Sequence, residues 1–338
     1  MPNKLAFRFL SWNIKDFGNY DYSGTMSRIA STIIESGADI AVILEIFANR
    51  KVKGAKIGQD LITSGAKTAV ADLLTELRNK DNASGWEEAT SGINAGNADR
   101  DGYAFFWKTK TKGTKLGQHF LPTKITLVSG PDILRYNKDG EDKFGGVRRP
   151  AACQFKLENP KASPTSQNVL VCGYHADADF ADVNGIKKSI QNCLIVSNVK
   201  SGNIPVVVGG DLNLDYTNNQ VFYKTLKTDV LYGYTTALTA GKGSSLVANP
   251  DFSVAKPVIA KNAYDNFLYK KLTLENAWKT EVIDVVLNIT KDLPQKKGNK
   301  KRTLADLEEE AFSMYYIVKK SIGSCISDHF PIIGSFGF

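Results

Sequence analysis

Short apolar runs alternate with amphipathic stretches along the whole chain, the rhythm of a mixed α/β protein. Residues 6–13 read as a strand, with Phe7 and Phe9 alternating against Arg8. Across 25–36, Met26, Ile29, Ala30, Ile33 and Ile34 recur at helical spacing, and Gly37 closes the predicted helix. Residues 38–47 then predict a buried strand interrupted by one charge, Glu45. A second helix is expected over 67–80, with Val70, Leu73, Leu74 and Leu77 on one face. Strands follow at 102–108, 150–157 and 168–175, a helix at 182–199, and a valine-centred strand at 205–209. A helix leads to the SDHFP segment, and a last strand is expected over 330–338. Two long loops, 239–262 and 293–302, interrupt this order, and loops of that length inside a domain are functional or disordered. No repeat and no linker-like break divides the 338 residues, so they are read as one domain.

Composition narrows the class. With 42% hydrophobic and 23% charged residues the chain is globular, and no apolar run approaches the ~18 residues of a membrane span. The N-terminus lacks an apolar signal segment, so the expected location is cytoplasmic. Four cysteines without CxxC spacing argue against a disulfide framework and against a zinc site. The formal charge is +8 and its excess is local: 50–56 carries +4, 108–124 carries +5 and 291–302 nets +5. Together these exceed the whole, so the remaining body is net acidic. Positive loops on such a body suit a polyanion, nucleic acid first and an anionic membrane second.

Polar residues recur where strands end. Asn13 follows the first strand, Glu45 sits in AVILEIF, and His175 emerges from VLVCGYHAD. In VVVGGDLNLD a buried strand and two glycines lead to Asp211 and Asn213, at period two on one face. The glycines allow a ligand or another backbone to approach. Asp265 lies between aromatic residues in NAYDNFLY, and Asp328-His329 precedes the final strand. A carboxylate beside a histidine can orient the ring through Nδ1. No Gly-rich GKS loop and no GxSxG elbow is present, which argues against a P-loop nucleotidase and a serine hydrolase. Oxygen ligands without cysteine point to Mg²⁺, with Mn²⁺ or Ca²⁺ as alternatives, and to metal-assisted phosphodiester cleavage. His119, alone in a Gly/Lys loop, is read as structural or solvent-exposed.

In order along the chain, WN (Asn13), LE (Glu45), GYAFFW (Tyr103), VRRP (Arg148), YH (His175), GDLN (Asp211, Asn213), YDN (Asp265) and SDH (Asp328, His329) resemble the endonuclease/exonuclease/phosphatase superfamily. The resemblance runs from about residue 7 to the C-terminus, and AYDNF is most similar to the deoxyribonuclease I-like branch. It implies a four-layered α/β/β/α sandwich of two mixed, mainly antiparallel sheets. Basic insertions would then fall at about 48–66, 108–147, 239–262 and 291–302. It further implies that Glu45, with Asn13 and Asp328, holds Mg²⁺, and that His175 and His329 flank the scissile phosphate. Asp265 would orient His329, Asp211 and Asn213 would position water or stabilise the phosphorane, Arg148 would bind a phosphate oxygen, and Tyr103 would bond it or support His175.

Departures refine the expectation. Lys15 stands where the apurinic-endonuclease branch has an acidic ligand, and Phe47 where deoxyribonuclease I has an arginine. Arg149 replaces the glutamate of the usual REP triplet, and the PAWTDRIL signature of inositol-polyphosphate phosphatases is missing. A monomeric, Mg²⁺-dependent nuclease is therefore expected, with DNA ahead of RNA as partner. Lys296, Lys297, Lys300 and Lys301 are expected to track the phosphate backbone from a loop whose ends approach the catalytic face. A phosphodiesterase acting on a phospholipid or on a protein–DNA tyrosyl linkage is the enzymatic alternative. A catalytically silent nucleic-acid-binding module is the non-enzymatic one.

Overall fold

A computed structural model describes residues 3–19, 25–96, 100–116, 118–136, 139–142, 144, 147–177, 183–229, 231–238, 243–246, 260–274, 280–297, 300–315, 327 and 329–338. Two sheets carry the fold. In the first, β1 (Lys4–Phe17) pairs in parallel with β2 (Ile40–Phe47). β2 continues antiparallel into β4 (Asp101–Lys108), and β3 (Trp86–Thr90) forms the edge. On its other side β1 pairs antiparallel with the C-terminal strand, Ile332–Gly337.

The second sheet repeats this plan. Lys124–Ile133 (β5) is its edge, followed by β6 (Ala151–Glu158) and β7 (Ser166–Gly173). β7 pairs in parallel with β8 (Val206–Asp211), which pairs antiparallel with β9 (Asp265–Lys270). Both sheets are thus mixed and mainly antiparallel, as the resemblance implies. The C-terminal strand is β10.

Period-two alternation sorts the side chains into layers. From the second sheet, Cys153, Phe155, Val171, Val207 and Phe267 join the core between the sheets. Their neighbours Ala152, Leu170, Cys172, Val206 and Val208 pack instead with Ile190 and Leu194 of α3 (Val183–Ser201) and Tyr223 and Leu226 of α4 (Gln220–Thr228). On the first sheet the helices are α1 (Met26–Glu35) and α2 (Ser64–Lys80), which bury Ile29, Ile33, Val70 and Leu73. Across the middle, Phe9 lies 5.4 Å from Phe267 and Trp107 5.5 Å from Phe155, ring centre to ring centre.

Glycine fixes the closest approach. A Cβ on Gly209 would sit 2.7 Å from the Phe9 and Phe267 rings, and one on Gly210 would sit 1.8 Å from the Tyr174 carbonyl oxygen. The glycine pair thus admits protein neighbours: aromatic rings on one face and the Tyr174 backbone on the other.

The expected strands and helices are present with ends shifted by a few residues. Others were not foreseen. Within 108–147, expected as a basic insertion, β5 is a partly exposed edge strand whose apolar positions do not alternate cleanly. α4 is too short to show more than two turns of periodicity. Helix α5 (Val285–Asp292) was not foreseen either, whereas α6 (Leu304–Tyr315), on the other side of the 291–302 stretch, stands where a helix was expected ahead of SDHFP.

Candidate active site

Topology brings the polar strand ends to one place. β1 and β2 are parallel, as are β7 and β8, so Asn13, Glu45, His175 and Asp211 lie at or just beyond matching ends. The antiparallel strands β4, β9 and β10 begin there. Asp101 pairs with Phe47, Asp265 with Asp211, and His329 immediately precedes β10. The two sheets meet directly through the Asn13 amide, whose Nδ2 donates to Glu45 Oε1 at 3.0 Å and to Asp211 Oδ2 at 3.1 Å.

Glu45 occupies an irregular point in both of its pairings. The register shifts between Asn13 and Phe17 on β1 and between Ile43 and Ile46 on β2. Glu45 and Asp16 both adopt left-handed backbone, at φ 58° and 47°. Such conformations cost of order 1–3 kcal/mol for non-glycine residues and concentrate at functional sites. The bulge turns the Asp16 N–H onto Glu45 Oε2 at 3.2 Å. Arg50 holds Asp16 from the other side at 2.7 Å. Burial alone raises the Glu45 carboxyl pKa, but His175, Arg148 and the bonds from Asn13 and Asp16 outweigh it and hold it at about 2. Glu45 is a carboxylate at any ordinary pH.

Around His175 a buried network sets the ring. Nδ1 lies 3.3 Å from Asp101 Oδ2 and 3.5 Å from Glu45 Oε1, and Nε2 lies 3.1 Å from Arg148 Nη1 and 3.9 Å from Asp211 Oδ2. A guanidinium has only donors, so in this geometry Nε2 accepts and Nδ1 carries the proton toward Asp101. Asp101 also holds Arg148 Nε at 3.3 Å. Burial works against the Arg148 charge, but Asp101, Glu45 and Asp177 keep its pKa raised. Tyr103 is fully buried: its hydroxyl donates to the Arg149 carbonyl at 2.8 Å and accepts from the His175 N–H at 3.3 Å and from Asn94 Nδ2 at 3.1 Å. Tyr103 thus bonds the backbone of His175.

The second histidine has its own carboxylates. His329 Nδ1 lies 2.8 Å from Asp265 Oδ2, and Nε2 lies 3.5 Å from Asp211 Oδ2. Ser327 Oγ accepts from the His329 N–H at 3.0 Å and donates to the Asn13 carbonyl at 2.6 Å, tying the chain before β10 to β1. Ser244, from the 239–262 loop, accepts the Asp265 N–H at 3.0 Å on Oγ. Asn213, also left-handed at φ 49°, donates its N–H to Asp211 Oδ1 at 2.9 Å and its Nδ2 to the Ala176 carbonyl at 2.7 Å. It locks Asp211 to the segment after His175. Burial, with Asp265 adding to it, raises the Asp211 pKa against the pull of the histidines.

The donor set fits a hard cation. Asn13 Oδ1 is buried beside the ionised Glu45 with no hydrogen-bond partner among the described residues, an orphaned acceptor of the kind a cation satisfies. Asp211, Asp265 and His329 form a further group whose ligand atoms lie within 4.8 Å of one another. Asp328, the third expected ligand, lies outside the described residues.

Thus Asn13, Glu45, Tyr103, Arg148, His175, Asp211, Asn213, Asp265 and His329 share one site. The backbone pairs Lys296 with Lys301 and Lys297 with Lys300 in a short antiparallel ribbon within 293–302, which was expected as a loop. The ribbon joins α5 to α6. α5 starts beside β10, where the Ile283 N–H donates to the Pro331 carbonyl at 2.8 Å. Further along α5, Asn288 lines a groove with Arg8, Glu35 and Ser36. Sequence reading missed Asp101, Asn94 and Ser327. Asp101 and Asn94 fall in a stretch rich in Gly, Asn and Asp, where no single acid or amide stands out.

This is the endonuclease/exonuclease/phosphatase fold: two facing mixed sheets, helices outside, and a polar site at one shared end. An endonuclease/exonuclease/phosphatase family protein from Bacteroides thetaiotaomicron superposes with a TM-score of 0.57 at 14% identity, covering 99% of this chain and 98% of that one. A mannosyl-6-phosphatase from the same organism superposes at 0.55 with 15% identity, over 98% and 100% of the two chains. A family protein from Leptotrichia buccalis gives 0.54 at 15% identity, with 98% and 100% covered. No protein-family model and no curated protein sequence matches the chain.

Proposed function

We propose that the protein is a metal-dependent phosphodiester hydrolase acting on nucleic acid, DNA ahead of RNA. The observation that carries this reading is the buried meeting of two histidines, each backed by a carboxylate, with Asn13, Glu45 and Asp211 between them. Asn13 and Glu45 would hold Mg²⁺, which when bound supplies positive charge to a phosphate oxygen. Arg148 supplies a second, fixed positive charge at the same place, anchored by Asp101. Asp211 Oδ2 stands between the two imidazole Nε2 atoms, placed to orient a water molecule. Asp265 keeps His329 in one orientation, leaving its Nε2 to exchange a proton with a reacting oxygen. Asp101 does the same for His175 once Arg148 turns to a phosphate. Asn94 and Tyr103 brace that half of the site, and the 239–262 loop braces the other through Ser244.

Nucleic acid is favoured over a small phosphate by the local excess of positive charge, +4 over 50–56, which follows the site end of β2. Assay of plasmid nicking, bis-p-nitrophenyl phosphate and sphingomyelin in parallel tests this. Turnover of plasmid and the small diester supports the reading, turnover of sphingomyelin alone replaces nucleic acid with lipid, and inertness toward all three removes the enzyme reading.

A further inference from the structure

A second basic surface lies at the other end of the first sheet. β4 begins at Asp101 in the site and ends at Lys108, and seven residues at ~3.3 Å each separate them by about 23 Å. The chain beyond Lys108 is knitted to two neighbouring segments. The Thr111 N–H donates to the Thr123 carbonyl at 3.1 Å, and Lys110 faces Lys124 across an antiparallel bridge. Lys115–Leu116 pairs with His119–Phe120, which pairs with the start of β1 at Lys4. The Thr123 N–H donates to the Glu158 carbonyl at 2.7 Å, Asn159 Nδ2 to the Leu121 carbonyl at 2.7 Å, and the Ser163 N–H to the Asn3 carbonyl at 2.7 Å. The chain start, the 108–124 segment and the 158–166 turn therefore form one hydrogen-bonded platform.

The charge of these three segments is almost wholly positive, while the acids beside them are Asp81, 3.7 Å from Lys108, and the buried Asp39, both lining the groove next to Lys112. Lys4, Lys110, Lys112, Lys115, Lys124 and Lys161 are all exposed. Glu158 is the one acid in these segments, and it is shared between Lys156 at 2.8 Å and Lys124 at 4.0 Å. Like charges directly opposite across a strand pair are destabilising, so the Lys110–Lys124 bridge is a cost in the free protein that a polyanion would relieve. Thr114, exposed between Lys112 and Lys115, adds a hydroxyl of the kind that binds phosphate. None of the large exposed apolar side chains among the described residues falls in the platform, so it offers nothing to insert into a bilayer.

We propose that this lysine platform is a nucleic-acid-binding surface, separate from the hydrolytic site, which grips the phosphate backbone of a long strand or duplex. The proposal depends on the platform alone and not on which diester the site cleaves. The test replaces Lys110, Lys112, Lys115 and Lys161 by Gln and measures binding of a labelled DNA duplex across a salt series, in chelator so that nothing is cut. The wild-type log–log slope should become shallower by about 3–4 in the variant, roughly 0.9 for each phosphate no longer neutralised, with weaker binding at every salt concentration. Turnover of a small diester should be unchanged, and the melting temperature should not fall, since Lys110→Gln removes the like-charge pair with Lys124. Equal affinity and slope in the two proteins would overturn the proposal. So would wild-type binding to phosphatidylserine vesicles without binding to duplex, which would assign the platform to membranes. Loss of duplex binding in the variant of a protein that cleaves no diester would keep this proposal and remove the hydrolase reading.

Discussion

Each polar group in the site is set by one or two named neighbours, so single substitutions give sharp expectations. His175→Ala, Asp211→Ala and His329→Ala should each lower kcat on a small diester by on the order of 10²–10⁴-fold, the usual scale for an acid–base group. Unchanged circular dichroism is the control, and near-wild-type turnover in any of the three would remove that residue from the chemistry. His119→Ala should leave kcat unchanged, because His119 pairs with Lys4 at the start of β1, nine residues or about 30 Å from Asn13. Glu45 makes a separate, thermodynamic prediction. Its folded pKa of about 2 lies below that of an unfolded glutamate. It therefore contributes stability that is complete above the unfolded pKa and is lost as pH falls toward 2. Glu45→Gln should flatten the acid limb of the stability curve, measured by urea unfolding from pH 5 downward, and an unaltered limb would contradict the pairing. At this scale the sequence was most legible where a motif isolates one polar residue after an apolar strand, as at Glu45, His175 and Asp211. Asp101 was invisible because its partners, His175 and Arg148, lie 74 and 47 positions away and reach it only through the fold.

Among elements, apolar periodicity located those whose buried face dominates, such as β2, β8 and α1. It failed for the edge strand β5, where exposure breaks the alternation, and for the ribbon, where the Lys-rich composition suggested an open loop. The glycines of β8 were read correctly as sites of close approach, and the structure identifies what approaches. Gly210→Ala would drive a methyl group into the Tyr174 carbonyl, 1.8 Å away, and should cost ~1–3 kcal/mol or more, the scale of overpacking. Among the described residues, a Cβ on Gly96 would meet the Ala55 carbonyl at 3.5 Å, an ordinary contact, so Gly96→Ala should be nearly neutral. Equal melting temperatures for the two variants would contradict the packing of β8 against the segment after β7.

At the scale of the whole molecule, the fold concentrates buried carboxylates and histidines at one end of the sandwich and a lysine platform at the other. The net charge of +8 is thus an average over unlike regions, which is why composition alone left the partner open. The hydrolytic reading requires the acidic end to work with a cation. The most direct test is the rate of bis-p-nitrophenyl phosphate hydrolysis by protein stripped with chelator and then titrated with Mg²⁺. The expected result is no turnover in chelator and saturable recovery on adding the metal, with recovery abolished in Glu45→Gln. Undiminished hydrolysis in excess chelator would contradict the account.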